Sequence, residues 1–160
     1  MHPSIYQVTT WLTVGPHPAA HGRSNDTRVA SFLGAYRPTV VVDLTSPAEG
    51  HGDYVDQLLP TARRVSFPIA DYGVPSAAQL AAVLDTLDGA QQHGEPVYLH
   101  CAAGVGRSGL VVTAYLMRAG LSLNGALEHV RTLRAHTEHP AAVPESPLQA
   151  AFLAEWSTRR

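Results

Sequence analysis

No lysine occurs anywhere in this chain; its eleven basic residues are all arginine. Beside the abundant alanine this reads as a composition bias, but it has a chemical consequence. The nucleotide-binding loop that closes on Gly-Lys-Ser/Thr cannot be built. A single cysteine, Cys101, excludes an internal disulfide and suits a reducing compartment, so a cytoplasmic location is expected. No apolar run approaches the roughly 20 residues that a bilayer span requires. The first residues hold no basic segment followed by an apolar stretch, so neither secretion nor a membrane partner is expected. There is no basic surplus either: the formal net charge is −2, which argues against a nucleic-acid partner. With 45% hydrophobic and 15% charged residues the composition is that of a globular chain. Its 160 residues would fill one domain with a full core, so residues 1–160 are expected to form a single domain.

What is present is an alternation of strand-like and helix-like segments. Ile5 to Val8 and Trp11 to Val14 are short strand-like runs ending at Gly15-Pro16. Ser24, Asn25 and Asp26 offer capping oxygens to a helix that runs to about Tyr36 and stops at Pro38. Thr39 to Leu44 is a continuous apolar run, as expected of a strand covered on both faces. A short helix is expected near Tyr54–Leu59, and a further strand over Arg64–Ile69, with Pro68 placing its end near a sheet edge. Ser76 and Gln79 predict a capping box for a helix with Leu80, Val83, Leu84 and Leu87 on one face. Ser122 opens another helix, and Ser146-Pro147-x-Gln149 a last one. The expectation is an α/β fold: a mostly parallel central sheet of about four to five strands, helices on both faces, and the ligand crevice beyond the strands' carboxyl ends.

The chemistry concentrates between Pro96 and Gly109. Val97 to His100 reads as a buried strand and Leu110 to Met117 as a buried helix. The loop between them carries Cys101 at its mouth and Arg107 at its close. A strand feeding a glycine-bearing loop into a helix N-terminus is an anion site, because unpaired N–H groups and the helix dipole converge there. Gly104-x-Gly106-x-x-Gly109 formally matches the dinucleotide fingerprint. That fingerprint wants a strand ending in an acidic residue about 20 positions on, and there Glu128 sits in a helical pattern instead. The remaining reading is nucleophilic. The backbone amides of Ala102, Ala103, Gly104, Val105 and Gly106 would surround a tetrahedral oxyanion, and the Arg107 fork would bind two of its oxygens. The same positive surroundings favour a thiolate at Cys101, and Ser108 could donate a hydrogen bond to that sulfur.

His100-Cys101-x-x-Gly104-x-x-Arg107-Ser108-Gly109 resembles the signature of the cysteine-dependent protein tyrosine phosphatases. The order of Trp11 to Pro16, Asp43-Leu44, the Asp71 loop and the signature is similar to that in the compact dual-specificity-type members. The resemblance implies attack by Cys101, a phosphocysteine intermediate and no cofactor. It also implies a general acid some 30 residues before the cysteine, where this chain has Asp71, and a His100 that orients the loop and favours the thiolate. The implied substrates are phosphotyrosine, with phosphoserine and phosphothreonine in the dual-specificity branch. The alternatives are an inositol phosphate, phosphoinositide or other small phosphoester phosphatase, and a phosphate-binding module without turnover. The chain lacks the lysines that lipid-directed members often carry in the loop, where it has Ala102, Ala103, Val105 and Gly106.

Other polar residues draw blander readings. Asp43 ends a strand and is expected to be structural. Gln149 falls where tyrosine-specific members often carry a water-positioning glutamine, but a capping box with Ser146 explains it. His136-x-x-His139 and His17-x-x-x-His21 lack a third ligand, so no metal site is expected.

Overall fold

The computed structural model describes residues 3–20 and 27–159. Five strands form one sheet in the order β1-β2-β5-β3-β4. They are β1 (Tyr6–Gln7), β2 (Leu12–Gly15), β3 (Val40–Asp43), β4 (Arg63–Ser66) and β5 (Val97–His100). Only the β1–β2 pair is antiparallel. Among the described residues there are five α-helices: α1 (Thr27–Tyr36), α2 (Ala77–Gln92), α3 (Gly106–Arg118), α4 (Leu123–Leu133) and α5 (Pro147–Thr158). The capping oxygens expected at Ser24, Asn25 and Asp26 lie outside the described residues.

β2, β3 and β5 are fully buried, and their alternation divides the interior in two. Val40, Val42, Val97 and Leu99 face a large core shared with α2, α3 and α5, while Val41 and Tyr98 face a smaller one with Val29, Leu33 and Tyr54. Because β5 lies at the centre, its end is flanked by the ends of its neighbours. His100 is in register with Gly15 of β2 and Asp43 of β3, and Asp43 with Ser66 of β4. Everything that follows these four residues emerges at one edge of the sheet, which is where the site forms.

Three local expectations shift. β4 ends at Ser66 instead of Ile69, because Pro68 has no N–H to donate; the chain still tracks β3, with Phe67 N–H bonded to Asp43 O at 2.8 Å and Ile69 N–H to Leu44 O at 3.0 Å. The short helix near Tyr54 is a single 3₁₀ turn over Val55–Gln57. Ser76, Ser122 and Ser146 each cap their helix, but neither expected box closes. The Gln79 side chain donates to Pro68 O at 2.8 Å, and the Gln149 carbonyl accepts from Glu145 N–H at 3.1 Å. Both glutamines serve neighbouring loops in place of their own caps.

Candidate active site

The loop from Cys101 to Val105 joins β5 to α3, and two close approaches define its path. Gly104 has φ +77°, and a Cβ there would lie 2.5–2.8 Å from the Gly15 carbonyl and Pro16 N, so only glycine fits against the end of β2. Next to it, His17 N–H donates to Ala102 O at 2.9 Å. On the other flank the Glu145 side chain lies on Gly106 so closely that a Cβ there would overlap its carboxylate. The helix begins at Gly106, which places Arg107 and Ser108 in its first turn, where N–H groups and the dipole favour an anion.

The loop residues singled out in the sequence converge. Cys101 is 2% exposed, and Ser108 Oγ–H donates to its Sγ at 3.0 Å. The Arg107 guanidinium is buried and fully engaged at its Nη groups. It donates from Nη1 to Glu49 Oε2 at 2.7 Å and to Ile69 O at 2.8 Å, and from Nη2 to Glu49 Oε1 at 2.8 Å and to Asp71 Oδ1 at 3.2 Å. Burial opposes the charge of Glu49, but the paired bonds from Arg107 outweigh it and hold the carboxyl down at about 2. Burial likewise works against the charge of Arg107, and Glu49 reverses that effect and raises its pKa.

Glu49 was not visible in the sequence reading. Its one signal is position: it follows a parallel strand, beyond its carboxyl end, in a turn held by Ser46 N–H donating to Glu49 Oε2 at 2.6 Å. Asp43 takes the structural role expected of it, accepting from Thr45 N–H at 2.8 Å and Thr45 Oγ1–H at 2.6 Å.

His100 is fully buried, and burial lowers its pKa. Its Nδ1–H donates to Cys101 O at 3.0 Å, which leaves Nε2 to accept from Tyr54 O–H at 2.5 Å. The expected orienting role therefore has a geometry. His17 stacks edge-on against His100 and Tyr54. Burial, then the neighbouring His100 and His51, push its pKa down to about 3, and its Nδ1 accepts from Ala19 N–H. Among the described residues no group of three His, Cys, Asp or Glu side chains could hold a metal, and His21 lies outside them.

Asp71 stands on a separate loop and is half exposed. Its Oδ1 also accepts from Tyr72 N–H at 3.0 Å. Tyr72 takes the left-handed conformation (φ +59°), while Gly73 is demanded by a tight turn, since a Cβ there would lie 2.8 Å from Ala70 O. The start of α5 holds this loop: Ser146 Oγ–H reaches Tyr72 O and Gln149 Nε2–H reaches Gly73 O, both at 3.4 Å. Glu145, next to them, has its pKa raised by burial and by the charge of Asp71.

A buried cysteine with a donor to its sulfur, an arginine in the first turn of a helix and a carboxylate reaching that arginine come together at the loop that the sequence singles out. Residues 24–143 match the family described as dual specificity phosphatase, catalytic domain, and the chain belongs to that family. It is 34% identical over 126 residues to a protein of Invertebrate iridescent virus 3 named provisionally as a tyrosine phosphatase (067L), covering 70% of this chain and 50% of that one. It is 39% identical over 64 residues to dual specificity protein phosphatase 1 of Arabidopsis thaliana, covering 39% of this chain and 30% of that one. The chain thus spans half or less of these curated relatives. Among solved structures it is similar to Tk-PTP in its active form, with a TM-score of 0.80 and 28% identity over the whole of both chains.

Proposed function

We propose that this chain hydrolyses phosphotyrosine, and with it phosphoserine and phosphothreonine, through a phosphocysteine intermediate. The observation that carries the reading is the Ser108 hydroxyl on the Cys101 sulfur at 3.0 Å, beside an Arg107 that reaches Asp71. The loop N–H groups from Ala102 to Arg107 hold the three non-bridging oxygens. Glu49 fixes the plane of the guanidinium, and phosphate displaces Asp71 from it, the longest of the four Arg107 bonds. The arginine then grips the phosphoryl group, and Asp71 is free to meet the leaving oxygen.

In the first step Cys101 Sγ bonds to phosphorus, the ester P–O bond breaks, and protonated Asp71 gives its proton to the leaving oxygen. In the second, water attacks phosphorus and passes a proton to the Asp71 carboxylate. The S–P bond breaks, inorganic phosphate forms, and the Ser108 hydroxyl stabilises the departing thiolate. Neither step calls for a metal or cofactor.

Charge separates this reading from its alternatives. Glu49, Asp71 and Glu145 border the loop, its mouth carries neutral Ala102 and Ala103, and Arg107 is already paired. A polyphosphorylated head group would meet carboxylates where it needs cations. The proposed substrate is accordingly a phosphorylated protein or small monophosphate, met in a reducing compartment such as the cytoplasm. The test is turnover of phosphotyrosyl, phosphoseryl and phosphothreonyl peptides beside phosphoinositides, with Cys101→Ser as the blank. Faster release from phosphotyrosyl peptides supports the reading. Faster release from phosphoinositides overturns its substrate class, and no turnover of any overturns catalysis.

A further inference from the structure

A second arginine lies behind the loop, and nothing in the chemistry above uses it. Arg134 sits just past the end of α4 and is 1% exposed, one of the largest fully buried side chains among the described residues. Burying a guanidinium is costly unless its donors are met, yet among the described residues no carboxylate pairs with it. Its Nε–H donates to Pro140 O at 3.1 Å and its Nη1–H to Val105 O at 3.0 Å. Its Nη2 has no partner at strict hydrogen-bond geometry, and the Tyr6 hydroxyl is the side-chain group that interacts with the guanidinium. Both groups line a cavity of about 10 Å³ shared with Ser4, Gly104 and Val105, a polar space the size of one water molecule.

The bond to Val105 O bears on the reaction because a peptide unit is planar and trans: its C=O and N–H point in opposite directions. A Val105 carbonyl held back toward Arg134 turns the Gly106 N–H the other way, into the loop's concave side. This peptide needs a lock. A flip of this unit turns φ of Gly106, where glycine's freedom eases it, and would present a carbonyl to the phosphate. The first-turn bond from Gly109 N–H, at 3.1 Å, meets the same carbonyl.

We propose that Arg134 is a positioning residue of the phosphate loop: its guanidinium, seated against Tyr6, locks the Val105–Gly106 peptide with the N–H toward phosphate. Its buried positive charge adds to this from behind, where Arg107 is already neutralised in front. The proposal rests on the phosphatase reading but is tested without turnover.

Inorganic phosphate binding is measured by calorimetry in full-length Cys101→Ser, alone and combined with Arg134→Lys, Arg134→Met or Arg118→Met, with kcat and KM measured in the corresponding Cys101 proteins. Arg118 is a surface cation bonded to Asp85 and Asp88, so its variant controls for loss of one charge. Losing one oriented backbone donor costs about 10²–10³ in rate. Arg134→Met is expected to lose kcat by about that factor and to weaken phosphate binding at least about tenfold. Arg134→Lys keeps the charge but cannot reach both carbonyls, and is expected to recover only part of each; Arg118→Met changes neither. Folded Arg134 variants with wild-type phosphate affinity and kcat overturn the proposal, as does failure of both variants to fold, which makes Arg134 structural only. A wild-type chain without turnover, but with phosphate binding that depends on Arg134, overturns the phosphatase reading and leaves this one standing.

Discussion

Two loops meet at this site, and they are held differently. The phosphate loop after β5 is held mostly by backbone: Gly104 fits flush against the end of β2, Ala102 O and Val105 O take N–H donors from just after β2 and from α3, and one side chain, Arg134, adds its bond to Val105 O. The Asp71 loop after β4 is held by other elements' side chains, with Gln79 on Pro68 O, Gln149 on Gly73 O and Arg107 on Asp71 itself. One loop is short and buried but for Ala102 and Ala103 at its mouth, the other half exposed and tethered. A loop that must present fixed donors to a phosphate gains from backbone rigidity. A loop whose carboxyl must leave an arginine, meet a leaving oxygen and return gains from long, replaceable tethers.

The difference predicts a ranking of damage. Cys101→Ser is expected to abolish turnover while leaving the fold and phosphate binding intact, because the nucleophile is lost and the loop backbone is not. Wild-type activity should be unchanged by a chelator. Residual turnover by the serine variant, or activity that needs added metal, would break the comparison at its stronger end.

Asp71→Asn should do less, and selectively. General acid catalysis is worth roughly 10²–10⁴-fold, and it matters where the leaving oxygen is basic, as for a tyrosine phenol with pKa of about 10. The loss should therefore be large on phosphotyrosine and small on an activated aryl phosphate. Equal losses on both esters, with a lowered melting temperature, would make Asp71 a turn residue.

How much of this was legible from residues alone follows the same division. Cys101, Arg107 and Ser108 share one short loop, so spacing brings them together in any fold that makes the strand–loop–helix unit. Asp71 was reached through the resemblance, because its distance from Cys101 means something only once the loop after β4 is known to lie beside the one after β5. Glu49 and Arg134 were silent. Their partners lie 58 and 29 positions away, and no local pattern distinguishes an acid in a turn or an arginine at a helix end from a solvated one. Gln79 and Gln149 misled, since Ser-x-x-Gln is a local signature; Pro68 O, Gly73 O and Glu145 N–H, supplied by the tertiary fold, won both side chains.

An intermediate effect is expected from the Glu49 clamp, which joins the two loops through Arg107. Its carboxyl goes from an ordinary 4.5 to about 2 on folding. A depressed carboxyl stabilises the fold above its unfolded pKa and loses that contribution as pH falls toward the folded value. The melting temperature of the wild type should fall between about pH 4.5 and 2, and Glu49→Gln should show a shallower fall there from a lower start. His17, depressed from 6.5 to about 3, loses stability over its own window in both proteins, so the difference between them isolates Glu49. Parallel curves would mean that the clamp contributes nothing to the fold.

The smallest effects should come from the tethers themselves, and they should be unequal. Gln149 is fully buried and makes two bonds besides its cap, one to each side of the junction between the Asp71 loop and α5. Gln79 makes its one bond to Pro68 O at a half-buried surface. Removing a buried partner strands the groups it satisfied, at about 1–3 kcal/mol, whereas an accessible bond is replaced by water for about 0.5–1.5 kcal/mol. Gln149→Ala should therefore lower the melting temperature more than Gln79→Ala. If tethering serves the acid, both variants should slow phosphotyrosine cleavage severalfold while sparing the activated ester, copying Asp71→Asn in miniature. The measurement is the ratio of rates on the two esters for each variant. Ratios at the wild-type value in both would show that Asp71 needs no bracing, and that the two loops differ in exposure but not in how function depends on their supports.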